Sequence, residues 1–207
     1  MKQKLIKLVE KEISCNSHSI EHIMRVHRLC LKIAETEKIV DLEVLEIAAL
    51  LHDIGREKEN KDITGKIDHA IEGAKMAESI LKKMNYDKID QVVHCILAHR
   101  KRTNVEPKTI EAKILFDADK IDCIGAVGIA RSFMYGGQHG QKLTLDFKIP
   151  EKIYIDDVSK HNSILEYDIA LKGLANKLYT KTGRKIGSKR QKIIDQYFEQ
   201  LKEELAY

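Results

Sequence analysis

The sequence predicts an all-α fold, and three observations carry that prediction. Apolar residues recur at intervals of three and four along most of the chain, the spacing that gathers them on one face of a helix. Helix breakers are scarce, with two prolines in 207 residues, and 33% of the residues are charged, as solvated helix faces require. Strict alternation of apolar and polar residues, the mark of a half-buried strand, is nearly absent.

The elements follow in order. A first helix is expected over about Lys2 to Ser14. Asn16-Ser17-His18-Ser19 offers short polar side chains to the unpaired amides of a helix start, so a second helix runs from there to about Glu37. Asp41 caps a third, which carries the run Ala48-Ala49-Leu50-Leu51-His52-Asp53-Ile54-Gly55, and Gly55 is placed to end it in a left-handed conformation. The polar segment Arg56 to Lys66 reads as a loop. Helices are expected from about Asp68 to Met84 and Asp87 to Arg100, then a long one from about Pro107 through Phe133, whose proline suits a first turn that needs no N–H. From Gly136 to Lys160 the pattern breaks, leaving Leu143 to Phe147 and Lys152 to Ile155 as candidates for a short hairpin. Ser163 with Glu166 forms a capping box for a helix to about Tyr179, and Ser188 starts a last one to about Leu205. One domain is expected over residues 1–207, with its core at about 18–133 and the irregular segment (about 136–161) and C-terminal helices appended.

A chain of this size buries roughly 70% of the surface its unfolded form exposes, so a core forms without covalent staples. The four cysteines, Cys15, Cys30, Cys95 and Cys123, form no Cys-x-x-Cys pair, which points to a reducing cytoplasm. The first ten residues alternate charge with apolar side chains, unlike a signal peptide, and no segment has the length and apolarity of a membrane span. A net charge of +4 and a pI near 8.7 suit an anionic small molecule without being a nucleic-acid signature.

Polar residues interrupt the apolar helical pattern at three places. His52-Asp53 ends an apolar stretch, His22 lies in Ser19-Ile20-Glu21-His22-Ile23-Met24-Arg25-Val26, and Asp119 lies in Phe116-Asp117-Ala118-Asp119-Lys120-Ile121-Asp122. His22 shares a face with Val26 and so points inward with the apolar stripe. Ionisable groups so placed are costly to bury unless a charged partner holds them, and a divalent cation is such a partner.

These motifs, His-x-x-Arg-Val at 22–26, Leu-Leu-His-Asp-Ile-Gly at 50–55 and Asp-Ala-Asp-Lys-Ile-Asp at 117–122, resemble those of the HD superfamily of metal-dependent phosphohydrolases, in the same order. The resemblance is strongest over residues 18 to 133 and implies an HD-domain helical bundle, with His22, His52, Asp53 and Asp119 holding one divalent cation. This nitrogen and oxygen set suits Mn, Fe, Co, Ni, Zn or Mg, and a preference for about six ligands leaves positions for water and a phosphoryl oxygen. Asp117 and Asp119 face about 200° apart on a helix, and the match favours Asp119 as ligand. Asp117 then either holds a ligating histidine or caps structure, and Asp122, on the Asp119 face, is a further candidate to orient a ligand.

Around the cation, Arg25, His69, His99 and Lys120 are the candidates for handling phosphate. His69 and His99 fall in segments similar to those where many HD enzymes carry extra histidines, which contact substrate phosphate or bind a second metal; phosphate contact is favoured here. Arg25 and Lys120 hold either an anion or a structural ion pair, Arg131 is assigned a salt bridge, and His18, one turn before His22, is placed to orient the site. Lys181, Arg184, Lys185, Lys189, Arg190 and Lys192 read as a solvated face rather than a polyphosphate rim. The resemblance implies a cytoplasmic phosphohydrolase acting on a nucleotide, most similar to the small HD proteins that split nucleoside triphosphates to monophosphate and pyrophosphate. Alternatives are a nucleotide monophosphatase or cyclic-nucleotide phosphodiesterase, a di-iron HD oxygenase, and a non-catalytic nucleotide sensor.

Overall fold

The structure, a computed structural model, describes residues 1–12, 19–144 and 161–206. Helices and turns account for the described residues, with no strand among them. The hairpin candidates fall almost wholly at 145–160 and, with Asn16, Ser17 and His18, lie outside the described residues.

The first three helices are α1 (Lys2–Glu12), α2 (Ile20–Ala34) and α3 (Leu42–Leu51). Asp41 caps α3 as expected, its carboxylate accepting from the Val44 amide at 3.1 Å. Gly55 departs from expectation: its φ of −82° is right-handed, and it begins a short helix α4 (Arg56–Lys61) where a loop was expected. Close packing, not backbone handedness, requires glycine there. A Cβ on Gly55 would lie 2.4 Å from the His69 carbonyl oxygen and 2.5 Å from the Gly73 amide nitrogen. The corner after His52-Asp53 therefore presses directly on the backbone of α5 (His69–Lys83), whose N-cap is Asp68.

Helix α6 (Ile89–Ala98) packs on α5 and α3, and α7 (Ile110–Asp122) packs on α2. Helix α7 starts three residues after Pro107, which falls outside its first turn, and Thr109 caps it, accepting from the Ala112 amide. The long helix expected through Phe133 is two helices. It breaks after Asp122, and α8 (Gly125–Gln138) starts at Gly125 with a φ of +76° that side-chain-bearing residues rarely adopt.

The C-terminal part also differs from expectation. Asn162, not Ser163, caps the four-residue α9 (Ser163–Glu166), accepting from the Leu165 amide at 2.9 Å, and a π-helical turn (Tyr167–Leu171) and a 3-10 turn (Leu174–Lys177) follow where one helix to Tyr179 was expected. The last helix, α10 (Lys181–Glu204), begins seven residues before Ser188 because Thr180 supplies the cap, its hydroxyl accepting from the Gly183 amide at 2.9 Å.

Two apolar clusters result. The larger joins α1, α2, α3, α5, α6 and α7 around Ile23, Leu45, Leu50, Ile96 and Ile114. The smaller lies under α8, the 167–175 turns and α10, where Tyr167 stacks on Phe198 with ring centroids 4.5 Å apart. Free Cys30 and Cys95 pack as buried apolar side chains. No helix among the described residues is long and apolar enough to cross a membrane.

Candidate metal centre

Four imidazoles stand in a row through the larger cluster: His22, His52, His99 and His69, with successive ring centroids 5.3 Å apart. All four are buried. His52 and His99 occupy equivalent places, each one residue beyond a helix end, where carbonyls lack intrahelical partners. Each donates Nδ1–H to one of those carbonyls: His52 to Ala49 at 2.8 Å and His99 to Ile96 at 2.5 Å. His22 donates Nδ1–H to Asp122 Oδ2 at 2.8 Å, and His69 donates Nδ1–H to Glu59 Oε2 at 2.8 Å. With Nδ1 so committed, a neutral ring presents the lone pair of Nε2.

The Nε2 atoms converge in two pairs. His22 and His52 approach at 3.3 Å, with Asp119 Oδ1 at 3.5 and 3.9 Å from them and Asp53 Oδ2 at 3.7 and 3.9 Å. Donors about 2.1 Å from one ion lie about 3.0–3.4 Å apart at octahedral or tetrahedral angles, so small adjustments would let the buried group His22, His52 and Asp119 share a cation, with Asp53 Oδ2 approaching both imidazoles from beside it. Facing lone pairs and carboxylate oxygens repel one another unless a proton or a cation lies between them, and this donor set fits a divalent ion. A second group, Asp53, His69 and His99, could also hold an ion. There His69 and His99 Nε2 lie 3.2 Å apart, and Asp53 Oδ1 is 3.3 and 3.8 Å from them. Asp53 thus faces both groups, one oxygen to each.

The electrostatics set His22 apart from the other three histidines. Burial lowers His22, but hydrogen bonds with Asp119 and Asp122 overcome it and raise its pKa. Burial dominates at His52 and His69, lowering both, and drives His99 well below the ordinary histidine value, helped by neighbouring His52 and His69. Protonated His69 or His99 is therefore not the resting state near neutral pH. Burial pushes the acids up, yet Lys120 and His22 hold Asp119 well below the usual carboxylate range, and His22 and Arg25 do the same for Asp122.

The remaining candidates divide. Lys120 donates to Asp119 Oδ2 at 2.7 Å, leaving Oδ1 toward the histidines. Arg25 lies against Asp122, with Nε on Oδ1 at 2.9 Å and Nη2 on Oδ2 at 3.1 Å, which is the ion-pair alternative. Arg131 joins that carboxylate at 2.9 Å. Asp117 takes the capping role: it accepts from the Tyr179 amide at 2.8 Å and the Thr180 amide and hydroxyl at 2.7 Å, fastening the start of α10 to α7. Arg184 and Arg190 donate to the Leu178 and Ile121 carbonyls, while Lys181, Lys185, Lys189 and Lys192 are exposed.

Sequence reasoning missed Arg56, Glu59 and Arg100. Arg56 Nη2 donates to Asp53 Oδ1 at 3.0 Å and to His69 Nε2 at 2.9 Å, and Nη1 donates to Glu59 Oε2 at 2.8 Å. Arg100 Nη1 braces Glu59 Oε1 and Asp68 Oδ2 at 2.5 and 3.0 Å. The signal for Arg56 was its place three residues after Asp53, which puts both on one face once the segment is helical.

Comparison with known proteins identifies the family. The HD domain family model matches residues 19–124. The chain is 30% identical over 194 residues to the uncharacterized protein YpgQ of Bacillus subtilis, covering 92% of this chain and 85% of that protein. It superposes on a crystal structure of B. subtilis YpgQ in complex with ADP with a TM-score of 0.73 and 29% identity, over 99% of this chain and 97% of that one. It is also similar to a crystallised HD-superfamily hydrolase from Bacillus thuringiensis, with a TM-score of 0.71 and 26% identity over 99% and 96% of the two chains. The chain belongs to the HD-domain family and is an HD-superfamily hydrolase.

Proposed function

We propose that the chain is a metal-dependent phosphohydrolase acting on a nucleotide, with His22, His52, Asp53 and Asp119 holding one divalent cation. The observation that carries this is the approach of two buried imidazole Nε2 atoms to 3.3 Å, with one oxygen of Asp119 and one of Asp53 each 3.5 to 3.9 Å from both. When bound there, the ion supplies charge withdrawal from phosphorus and acidifies water for attack.

The chain's own residues do the rest. Asp122 and the Ala49 carbonyl fix the tautomers of His22 and His52, so both offer Nε2 to the same point. Lys120 and Arg56 each take one oxygen of Asp119 and Asp53, orienting the other. Lys120 and Arg56 are also the cations nearest the site, with side chains 20% and 16% exposed, so a phosphate arriving from solvent meets positive charge there. Arg56 Nε is buried with no acceptor among the described residues, a donor suited to an anionic oxygen. His69 and His99 would act mainly through Asp53 and Arg56, as neutral acceptors that shape the phosphate-facing side.

A nucleotide is favoured because YpgQ, similar over nearly the whole chain, was crystallised with ADP. Splitting a nucleoside triphosphate to monophosphate and pyrophosphate is the leading reaction, with a monophosphatase or cyclic-nucleotide phosphodiesterase as the alternatives of the same chemistry. A panel of nucleoside mono-, di-, tri- and cyclic phosphates with Mn, Co, Ni or Mg tests it. Release of phosphate or pyrophosphate that stops on chelation is expected. Tight nucleotide binding with no turnover under any metal would favour a sensor instead.

A second reading, a di-iron oxygenase, draws on the second group of Asp53, His69 and His99. Two spectroscopically coupled irons per chain would establish it in place of hydrolysis.

A further inference from the structure

The two halves of the buried site are built alike. Each has a pair of imidazoles with Nδ1 donated away and Nε2 facing Nε2, at 3.3 Å in one half and 3.2 Å in the other, and each receives one oxygen of Asp53. They differ in that Asp119 Oδ1 joins only the His22 and His52 half, at 3.5 and 3.9 Å, and in what stands in the other. In the half formed by Asp53, His69 and His99, the guanidinium of Arg56 already lies between donors, with Nη2 at 2.9 Å from His69 Nε2 and 3.0 Å from Asp53 Oδ1.

We propose that Arg56 is a built-in cation that takes the place of a second metal ion, so that this chain holds one ion where its histidines and aspartates could ligate two. The inference rests on the mononuclear reading above and explains it. A guanidinium carries a fixed positive charge on a planar fork of donors, which satisfies the lone pair of His69 and the charge of Asp53 Oδ1 as a metal ion would. It also repels any further cation brought to the same atoms.

The surroundings keep it in place. Arg56 opens α4, so the helix fixes its Cα one turn after Asp53. Glu59, one turn further on, accepts from Nη1 at 2.8 Å, and Glu59 is itself gripped by His69 Nδ1 and Arg100. Moving Arg56 out would take from both Glu59 and Asp53 Oδ1 a positive charge that compensates them. In the half formed by His22, His52 and Asp119 the cation on the carboxylate, Lys120, donates instead to the Asp119 oxygen turned away from the histidines, Oδ2 at 2.7 Å. The two halves are thereby assigned different tasks, one for the metal and one for fixed positive charge beside it.

The test uses the full chain, stripped with chelator, reloaded with excess Mn²⁺ and desalted, with manganese per chain measured by elemental analysis and its electron paramagnetic resonance recorded. The wild type is expected to hold one ion with the spectrum of an isolated spin. Arg56→Ala, which removes the charge and leaves room for an ion with its waters, is expected to hold two, with a spin-coupled spectrum. One ion in both proteins overturns the inference and leaves the mononuclear reading standing; two ions in the wild type overturns both it and that reading's stoichiometry; none in the wild type overturns the metal site itself. If Arg56→Ala does not fold, His69→Gln and His99→Gln in the otherwise unchanged chain decide the matter. Each is expected to keep one manganese with less than about tenfold change in affinity, and loss of the ion from either would mean that Arg56 does not exclude it from that half.

Discussion

His22 and Asp122 meet at 2.8 Å across 100 residues of sequence, Nδ1–H to carboxylate, in a site where Asp122 also receives Arg25 and Arg131. The carboxylate is fully buried, so its charge relies on such partners for compensation. It sets which nitrogen of His22 is available to a cation without touching the cation position itself.

Asp122→Asn keeps the shape but weakens that orientation and the pull on the His22 proton. Its affinity for Mn²⁺ should fall about 10- to 100-fold, the range found for partners of metal-ligating histidines. Calorimetric titration measures it, and an unchanged affinity would show that His22 is oriented by something else.

Asp53 touches both halves of the site and pairs with Arg56 at 3.0 Å. Asp53→Ala should abolish metal retention and phosphate release. Because it breaks a buried ion pair, the metal-free variant should also be less stable than the metal-free parent by about 3 kcal/mol. Denaturant unfolding in chelator checks this, and a variant more stable than the parent would show that Asp53 is strained when no ion is bound.

The neighbouring acids Asp117 and Asp119 should separate cleanly. Asp119→Ala is expected to lose the ion. Asp117→Ala loses three hydrogen bonds to Tyr179 and Thr180, and should cost about 2–3 kcal/mol while metal stoichiometry stays at the parental value. Loss of metal in the Asp117 variant at full stability would reverse the assignment.

His27, away from the site, gives a pH signature. Burial first, and then Lys2, lowers its pKa from 6.5 against the opposing pull of Glu46. The unfolded chain therefore takes up a proton at His27 before the folded chain does. Its contribution is level above about pH 6.5, and stability drains away as pH falls from there toward the depressed folded pKa. His27→Gln, measured by Tm against pH from about 7.5 to 5, should show a shallower acid-side decline than the parent. An equally steep decline would assign the slope to other groups.

The helical character of the chain was legible because it is a local property: the apolar spacing, the scarcity of proline and the Asp41 cap act within a few residues. The motifs around His22, His52-Asp53 and Asp119 were legible as well, since polar groups inside apolar helical stretches call for a partner. What the sequence left open depends on contacts between distant segments. Gly55 serves close packing against His69 and Gly73, a requirement no local pattern encodes. Asp117 and Asp122 look alike in sequence, but one fastens α10 and the other holds His22, because their partners lie 62 and 100 residues away. Arg56 looked like part of a polar loop; only the approach of α5 and α6, which bring His69 and His99 to Asp53, placed its charge inside the site. Sequence determined which groups were available and that they had to be satisfied; the tertiary structure decided which satisfied which, because that is settled by distances between chain segments that only the packed helices define.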